Sequence, residues 1–584
     1  MRAELPDASL IPFVVAATGH RDLRPEDEKA LRREVRAVFV GMRERMPNTP
    51  LILLSGLADG ADQLVAEVAL KEGVLVAAAL PMPVDAYKAP MPEDAKKKFD
   101  ELLAAAAIQI VLPLEGQTVE ELSKSEDARA ICYERLARFL ARYGQALIAL
   151  WDGTTTEKMG GTSNVVHYVR SGALDAFVED AEMRCGVVYQ IVTPRLRDKD
   201  TKLKVKTVEL GCEPRQVRTS GRRELGEISA GQRHRFMQVE MDFERFNRKA
   251  TAERAEAGAR LLEDERVALS PFQKRLESLY AQADRISLGA NRRRKFFLAA
   301  ILATALIGTL FYGIHGEMFG TYVWLWFSFP FFVITALVLH RTARATHVEA
   351  TYLDARALAE ALRVQFFWTM AGLKEPVDKH YLTDRRAELD WIRVALKNLW
   401  LMHEGDVEVA ASRANLSVVL KSWVVSQESW YRQKAERQSR SVRMREKVSH
   451  YGLLLAVVWS IAVPLVIMAS DKWHGLAPWR SLGPGKAAGS DWVYQSLHVA
   501  LAVPALLAGA YRLWIEQAGY EEQSRDYRSM EKEFAIVARE LEKDSEDLAL
   551  AQERLMHLGI EALKENGRWL MLHRERPLEV LSSP

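Results

Sequence analysis

The sequence predicts an amino-terminal α/β Rossmann-like domain with a mostly parallel sheet, followed by an α-helical membrane region with four transmembrane helices in two hairpins. Three observations predict it. Residues 11 to 193 alternate apolar runs with segments of helical period, the pattern of a layered α/β unit. Four later runs are apolar and uncharged over lengths close to a bilayer crossing. The 584 residues also exceed what one hydrophobic core normally supports, so two or more folding units are expected.

The expected strands are Ile11 to Thr18, Pro50 to Ser55, Val74 to Leu80, Ile108 to Leu112, Gln145 to Trp151 and Val187 to Thr193. Helices fill the intervals. After Pro25, suited to a first helical position, Glu26, Asp27 and Glu28 favour the positive end of the helix, and Leu31, Val35, Val38, Phe39 and Met42 share one face. That face should cover the sheet. The uncharged spans run from Phe296 to Ile314, Tyr322 to Leu339, Tyr451 to Ser470 and Val499 to Tyr511, the last bounded by Arg512, which can snorkel. Basic residues 292–295, Arg341 and Arg344 flank the first hairpin, whose turn has no Lys or Arg, so the positive-inside rule places both flanks in the cytoplasm.

Composition removes several classes. Lys+Arg 80 against Asp+Glu 78 leaves a net charge of +2, with no overall electrostatic case for direct nucleic-acid binding. Three cysteines, Cys132, Cys185 and Cys212, exclude a disulfide framework and a close-paired zinc site, so a reduced, cytosol-facing chain is expected. The first twenty residues carry Glu4 and Asp7 and no long apolar stretch, so no cleavable signal is expected. The mean hydropathy of -0.13 averages charged helices with the apolar runs and hides the latter.

Three loops at strand carboxyl ends hold the candidate binding residues, and ligands of open α/β sheets sit at that edge. The first is Thr18, Gly19, His20 and Arg21, with a glycine for close backbone approach and an arginine suited to phosphate. The second runs from Ser55 and Gly56 through Asp59 and Gly60 to Asp62 and leads into a helix with an inward stripe of Ala61, Leu64, Val65, Val68 and Ala69. The third holds Asp152 and Gly153, then Gly160, Gly161 and Thr162. Small residues at a helix start let backbone N–H groups reach an anion. Any one such loop is also consistent with a tight turn; three on one edge favour a nucleotide or phosphate-sugar site. His20 reads as a positioned hydrogen-bond donor rather than an acid or base, whereas Asp59 and Asp62 suit either ribose hydroxyls or helix capping.

The stretch Ser55-Gly-Leu-Ala-Asp-Gly-Ala-Asp62 resembles the Ser-Gly-Leu-Ala-x-Gly-x-Asp signature of DNA-processing protein A, and Leu150-Trp-Asp-Gly153 with Gly160-Gly-Thr162 resembles a late motif of SLOG-superfamily proteins. That superfamily also holds the lysine decarboxylase-like nucleotide phosphoribohydrolases. The resemblance spans roughly residues 11 to 193 and implies a pocket for a nucleotide or nucleotide-derived messenger, carried by the three loops. The hydrolase members have a Gly-Gly-x-Gly-Thr-x-x-Glu motif, but this chain reads Gly160-Gly-Thr-Ser-Asn-Val-Val166, without the third glycine and the glutamate. Binding is therefore expected over hydrolysis, with no catalytic residue, metal or cofactor assigned; Asp152 or Glu157 is the candidate replacement carboxylate.

The two hairpins read as a duplication, each preceded by a similar segment (Leu279-Tyr-Ala-Gln-Ala-Asp-Arg285, Trp430-Tyr-Arg-Gln-Lys-Ala-Glu-Arg437) and followed by a charged helix with a tyrosine (Tyr352, Tyr527). Ala357 to Arg363, Phe366 to Trp368 and Trp423 to Lys434 resemble SLATT effector modules, two-span units associated with SLOG sensors in bacterial conflict systems. This implies a ligand-gated pore or other membrane-disrupting effector. No span has an internal charge that would mark an ion path.

The expected organisation is a ligand-binding domain at 1–212, linker and coupling helices at 213–290, the first hairpin with its following cytoplasmic helix at 291–375, a cytoplasmic helical segment at 376–449, the second hairpin at 450–515 and cytoplasmic helices at 516–584. The expected protein is a multi-pass component of the bacterial inner membrane with both termini cytoplasmic. It forms homo-oligomers, and a small nucleotide ligand and the lipid bilayer are its partners. The alternatives are a membrane-tethered phosphoribohydrolase and a ligand-regulated scaffold or transporter.

Overall fold

The computed structural model describes residues 5–156, 159–172, 186–197, 203–212, 221–222, 227–253, 260–262, 267–318, 327–381, 390–404, 412–472, 520–543 and 547–574. The first part of the chain runs β1 (Phe13–Gly19), α1 (Glu28–Arg45), β2 (Leu51–Ser55), α2 (Ala61–Lys71), β3 (Leu75–Leu80), α3 (Val84–Lys88), α4 (Glu93–Ala105) and β4 (Ile108–Val111). It continues with α5 (Val119–Lys124), α6 (Glu126–Tyr143), β5 (Ala146–Trp151), β6 (Thr154–Thr155), α7 (Thr162–Ser171), β7 (Val187–Val192), β8 (Thr207–Leu210) and β9 (Gly221–Arg222). Seven strands form one sheet in the order β4-β3-β2-β1-β5-β7-β8. The strands from β4 across to β7 are parallel, and β8 closes the edge antiparallel to β7. This is a Rossmann-like α/β domain.

The central strands are buried along nearly their whole length because helices cover both faces, so they read as unbroken apolar runs rather than alternating ones. On α1 the buried residues are Leu31, Val35, Val38, Phe39 and Met42, one turn apart along the face that meets the domain. On α2 the inward stripe is buried, and Asp62 is buried with it. β1 and β5 lie side by side, and the chain crosses over between β1 and β2 on one flank and β5 and β7 on the other. The carboxyl ends of β1, β2 and β5 therefore meet at one edge of the sheet, where the strand order reverses.

Helices from later in the sequence complete this unit. In α8 (Ala230–Ala252), Phe243 packs edge-on against Phe13 at 5.6 Å, and Asn247 exchanges two hydrogen bonds with the Ile11 backbone, at 2.9 and 2.8 Å. The Asn247 amide thus substitutes for a strand neighbour where β1 begins. The remaining helices are α9 (Pro271–Met318), α10 (Ser328–Ala345), α11 (Val348–Met370), α12 (Asp390–His403), α13 (Arg413–Val419), α14 (Ser426–Lys472), α15 (Tyr520–Lys543) and α16 (Leu548–Arg574), with a π-helical segment Leu420–Val425 leading into α14. On α12, Asn398 donates to the Pro12 carbonyl and to Gln145 Oε1, each at 2.9 Å, again beside the start of β1.

The chain divides into two compact units, one of residues 1–285 with 357–415, the other of residues 286–356 with 416–584. In the second unit α14 and α15 pair, with Gln438 against Gln523 at 2.9 Å and Arg432 against Glu531 at 2.8 Å. The expectation of four spans is corrected here. Among the described residues one helical stretch, Pro271–Phe311 in α9, is long and apolar enough to cross a membrane, with a mean hydropathy of 1.6 over its best window and 11% of that window buried. It contains most of the expected first run. The second run is described only from residue 327, and a full-length window on α10 must take in Arg341 and Arg344. The third run lies in α14, some of its side chains being outside the described residues, and the fourth lies wholly outside them.

Of the cysteines, Cys132 is a buried free thiol, whereas Cys212 is disulfide-bonded, contrary to the expectation of a fully reduced chain.

Candidate functional site

The three loops converge, and the glycines show how closely. Gly60 has φ +85, and a side chain there would lie 2.7 Å from the Arg21 Cα, so the second loop rests directly on the first. The Ala61 N–H donates to the His20 carbonyl at 3.0 Å and locks that contact. Gly160 has φ +72, and a Cβ there would sit 2.6 Å from the Glu134 nitrogen, so the third loop lies against the Tyr133–Glu134 turn of α6. The Arg21 guanidinium stands 5.6 Å over the Tyr133 ring. Tyr133 therefore bridges the first loop to the third.

At the centre, Thr18, next to last in β1, is buried, and His20 and Asp152 face each other between β1 and β5, both buried. His20 Nε2 lies 3.2 Å from Asp152 Oδ1 and 3.1 Å from the Asp152 backbone nitrogen. An Nε2 without hydrogen accepts from the backbone N–H, and an Nε2–H donates to the carboxylate, so the two contacts belong to alternative tautomers of the ring. Burial disfavours the Asp152 carboxylate, but the His20 contact, the Thr154 N–H at 2.8 Å and the charge of Arg195 outweigh it and hold the carboxyl below its ordinary range. Gly153, with φ +86, turns the chain away from β5.

The second loop spends most of its polar groups on itself. Ser55 Oγ accepts from the Leu57 N–H at 3.1 Å, and Leu57 adopts a left-handed φ of 53 while fully buried. Asp62 Oδ2 accepts from the Ala58 N–H at 3.4 Å. Asp62 is 7% exposed, and burial pushes its carboxyl up to about 7 against the pull of the Ala58 N–H and Arg21. A Cβ on Gly56 would come within 3.3 Å of Asp62 Oδ2 and 3.5 Å of the Tyr87 hydroxyl. That hydroxyl is buried and has no hydrogen-bond partner among the described residues. Asp59 is half-exposed on the turn.

At the third loop Glu134 of α6 lies beside Gly160. It accepts from the Gly160 N–H at 3.1 Å, from Asn164 Nδ2 at 3.2 Å, from Arg138 Nε at 3.2 Å and from the Tyr168 hydroxyl. Burial opposes its ionisation; the bonds from Tyr168, Asn164, Arg138 and Gly160 outweigh that and keep the carboxyl below its ordinary range. Gly161 and Thr162 open α7 with no side-chain cap, and Gly60 and Ala61 open α2 in the same way. Two uncapped helix ends and the exposed Arg21, which makes no ion pair among the described residues, thus meet around Tyr133.

All fourteen residues singled out in the sequence lie at this edge. The residues missed are Tyr87 on α3, Tyr133 and Glu134 on α6, and Arg129 on α6, whose guanidinium stands 5.9 Å over the Tyr133 ring; they come from helices rather than loops and carry no local motif. Glu157 lies outside the described residues. Among the described residues no cluster of His, Cys, Asp or Glu could hold a metal ion. The chain matches no protein-family model and no curated protein.

Proposed function

We propose that the α/β unit binds a nucleotide-derived ligand at the carboxyl edge of its sheet, and that binding controls a membrane-associated helical unit. The observation that carries the reading is the meeting of Arg21 with the uncapped starts of α2 and α7. A phosphate is the group such a set recognises: the guanidinium supplies paired donors and the helix ends supply partial positive charge. Exposed apolar side chains support the membrane part. Phe296 on α9, Phe331 on α10 and Tyr451 on α14 are each more than 60% exposed, where a soluble unit of this size would cover them. The finer reading, a SLOG-like sensor that gates a SLATT-like oligomeric pore in conflict defence, is part of this proposal.

The test uses the full chain purified in detergent and titrated calorimetrically with cyclic and ADP-ribose-type nucleotides. A nucleotide should bind, and Arg21→Ala should weaken it by tenfold or more, since a charge-assisted bond to phosphate contributes about 1.5–3 kcal/mol. Ligand-dependent dye release from proteoliposomes reads the second half of the proposal. Absence of binding across the series defeats the first half, and binding without release defeats the second.

A second reading, N-glycosidic hydrolysis, draws on one observation, the proton-active carboxyl of Asp62 beside the unpartnered Tyr87 hydroxyl. Free base released during incubation with a nucleoside monophosphate would support it. An intact nucleotide recovered after binding would exclude it for that compound.

A further inference from the structure

Tyr87 is 1% exposed, and its hydroxyl makes no hydrogen bond among the described residues. Burying it loses hydration without a replacing bond. At an edge where ligands of open sheets sit, such an unmade bond marks a place for a group that arrives with the ligand.

The hydroxyl is held in position by its neighbours. The Tyr87 ring packs edge-on against Phe99 of α4 at 5.8 Å and lies 6.2 Å from the Tyr133 ring. Arg129 donates to the Ala86 carbonyl at 3.0 Å and to the Tyr133 hydroxyl at 3.2 Å, which ties α3 to α6 at this point. A Cβ on Gly56 would stand 3.5 Å from the Tyr87 hydroxyl and 3.3 Å from Asp62 Oδ2, so both oxygens lie around the same point, just ahead of α2. The bond that Asp62 accepts from the Ala58 N–H is long, at 3.4 Å, and leaves its carboxyl room for another. Arg21 shares Tyr133 as a neighbour, 5.6 Å over that ring. The cluster therefore grades inward from the exposed Arg21 through Asp62, 7% exposed, to Tyr87.

A phosphate on Arg21 and the start of α2 leaves the inner pair for a neutral group bonded close to that phosphate. Burial, then the charge of Asp62, holds the Tyr87 phenol well above its ordinary range, so it keeps its proton. A hydroxyl both donates and accepts, so it meets the phenol and the carboxyl whether Asp62 is protonated or ionised. A carbonyl oxygen cannot donate to a carboxylate, and an ammonium cannot accept from a phenol. Hydroxyls set beside a phosphate ester are those of a sugar.

We propose that Tyr87 and Asp62 hold a sugar hydroxyl of a phosphorylated ligand, so that the site selects ribonucleotides over their deoxy forms. The assignment rests on the phosphate reading of Arg21 and the α2 start, and it names the part of the ligand that lies beyond them.

The full chain in detergent is titrated calorimetrically with adenosine monophosphate and with dideoxyadenosine monophosphate. The ribonucleotide should bind tighter by about tenfold, and Tyr87→Phe should lose most of that difference. Without nucleotide, the thermal midpoint of Tyr87→Phe should be no lower than that of the parent protein, because the hydroxyl makes no bond in the fold. The comparison of the two nucleotides on the parent protein needs no variant and so stands even if Tyr87→Phe misfolds. Equal binding of the two compounds, both weakened by Arg21→Ala, overturns the hydroxyl assignment and leaves the phosphate reading in place. A difference that Tyr87→Phe keeps, or a lowered midpoint in that variant, overturns the role of Tyr87. Binding of neither compound overturns the proposal; a cyclic or ADP-ribose-type nucleotide binding under the same conditions would then show that the phosphate site stands without it.

Discussion

Asp62 sits where the packing of α2 and the chemistry of the sheet edge oppose each other. As the second residue of α2 it is carried inward with the apolar stripe, and its carboxyl rises from 3.8 to about 7 because burial costs the charged form more than Arg21 and the Ala58 N–H return. The consequence for stability has a definite sign. An acid whose folded value is raised keeps a proton that the unfolded chain has released, so its contribution is full below about pH 4 and is lost as pH rises through about 7. Asp62→Asn keeps an oxygen for the Ala58 N–H and cannot ionise. It should match the parent protein near pH 4 and exceed it at pH 8.5, by up to roughly 4 kcal/mol for a rise of about 3 units. Thermal midpoints of the two full-length proteins, compared from pH 5 to 8.5, should diverge as pH rises; a constant difference would show that Asp62 carries the same protonation folded and unfolded, so that burial does not raise its carboxyl.

At the scale of elements, the start of α7 is tied to α6 through Glu134, which collects donors from Gly160, Asn164 and Tyr168. Glu134→Ala leaves those donors without their acceptor, at a cost of about 1–3 kcal/mol. Deuterium should then enter the amides of residues 159–172 faster than in the parent protein; unchanged exchange would mean that the loop is held by something else. No sequence pattern announces this tie, because Glu134 is one of many charged residues on a helix and its partners lie some thirty positions downstream. The six strands from β1 to β5 and β7 were legible for the opposite reason. All but β4, where Gln109 and Val111 are exposed, are buried along nearly their whole length, and a continuous apolar run between polar turns needs no knowledge of its neighbours. The edge strand β8 was not read, since Thr207-Val-Glu-Leu210 is short and half polar. Asn247 and Asn398 were equally hidden, since each serves a backbone group more than two hundred residues away. The loops were legible as glycine-rich turns, but what fills them was not: Tyr87, Tyr133 and Glu134 arrive on helices. Of the four apolar runs, only the first falls in a stretch among the described residues that is long and apolar enough to cross a membrane, and the fourth lies outside them.

For the whole molecule, the question is how an event at the sheet edge would reach the apolar helices. The two units share α9, of which Pro271 to Arg285 belongs to the first and Ile286 to Met318 to the second. An unbroken helix resists bending, so a shift of one part is transmitted along its length rather than absorbed locally. Leu288 lies just beyond the division and is 50% exposed, so shortening it disturbs little packing. Leu288→Gly places two glycines in succession with Gly289, lowers local helix stability by about 1 kcal/mol and permits a bend. The nucleotide affinity of this variant should stay within a factor of about two, because the site lies elsewhere, while ligand-dependent dye release should fall severalfold. Affinity and release falling together would place the defect in the ligand site rather than in transmission. Release at the parental level would show that α9 carries no signal, leaving α11 and α13, which the division also cuts, as the routes to examine.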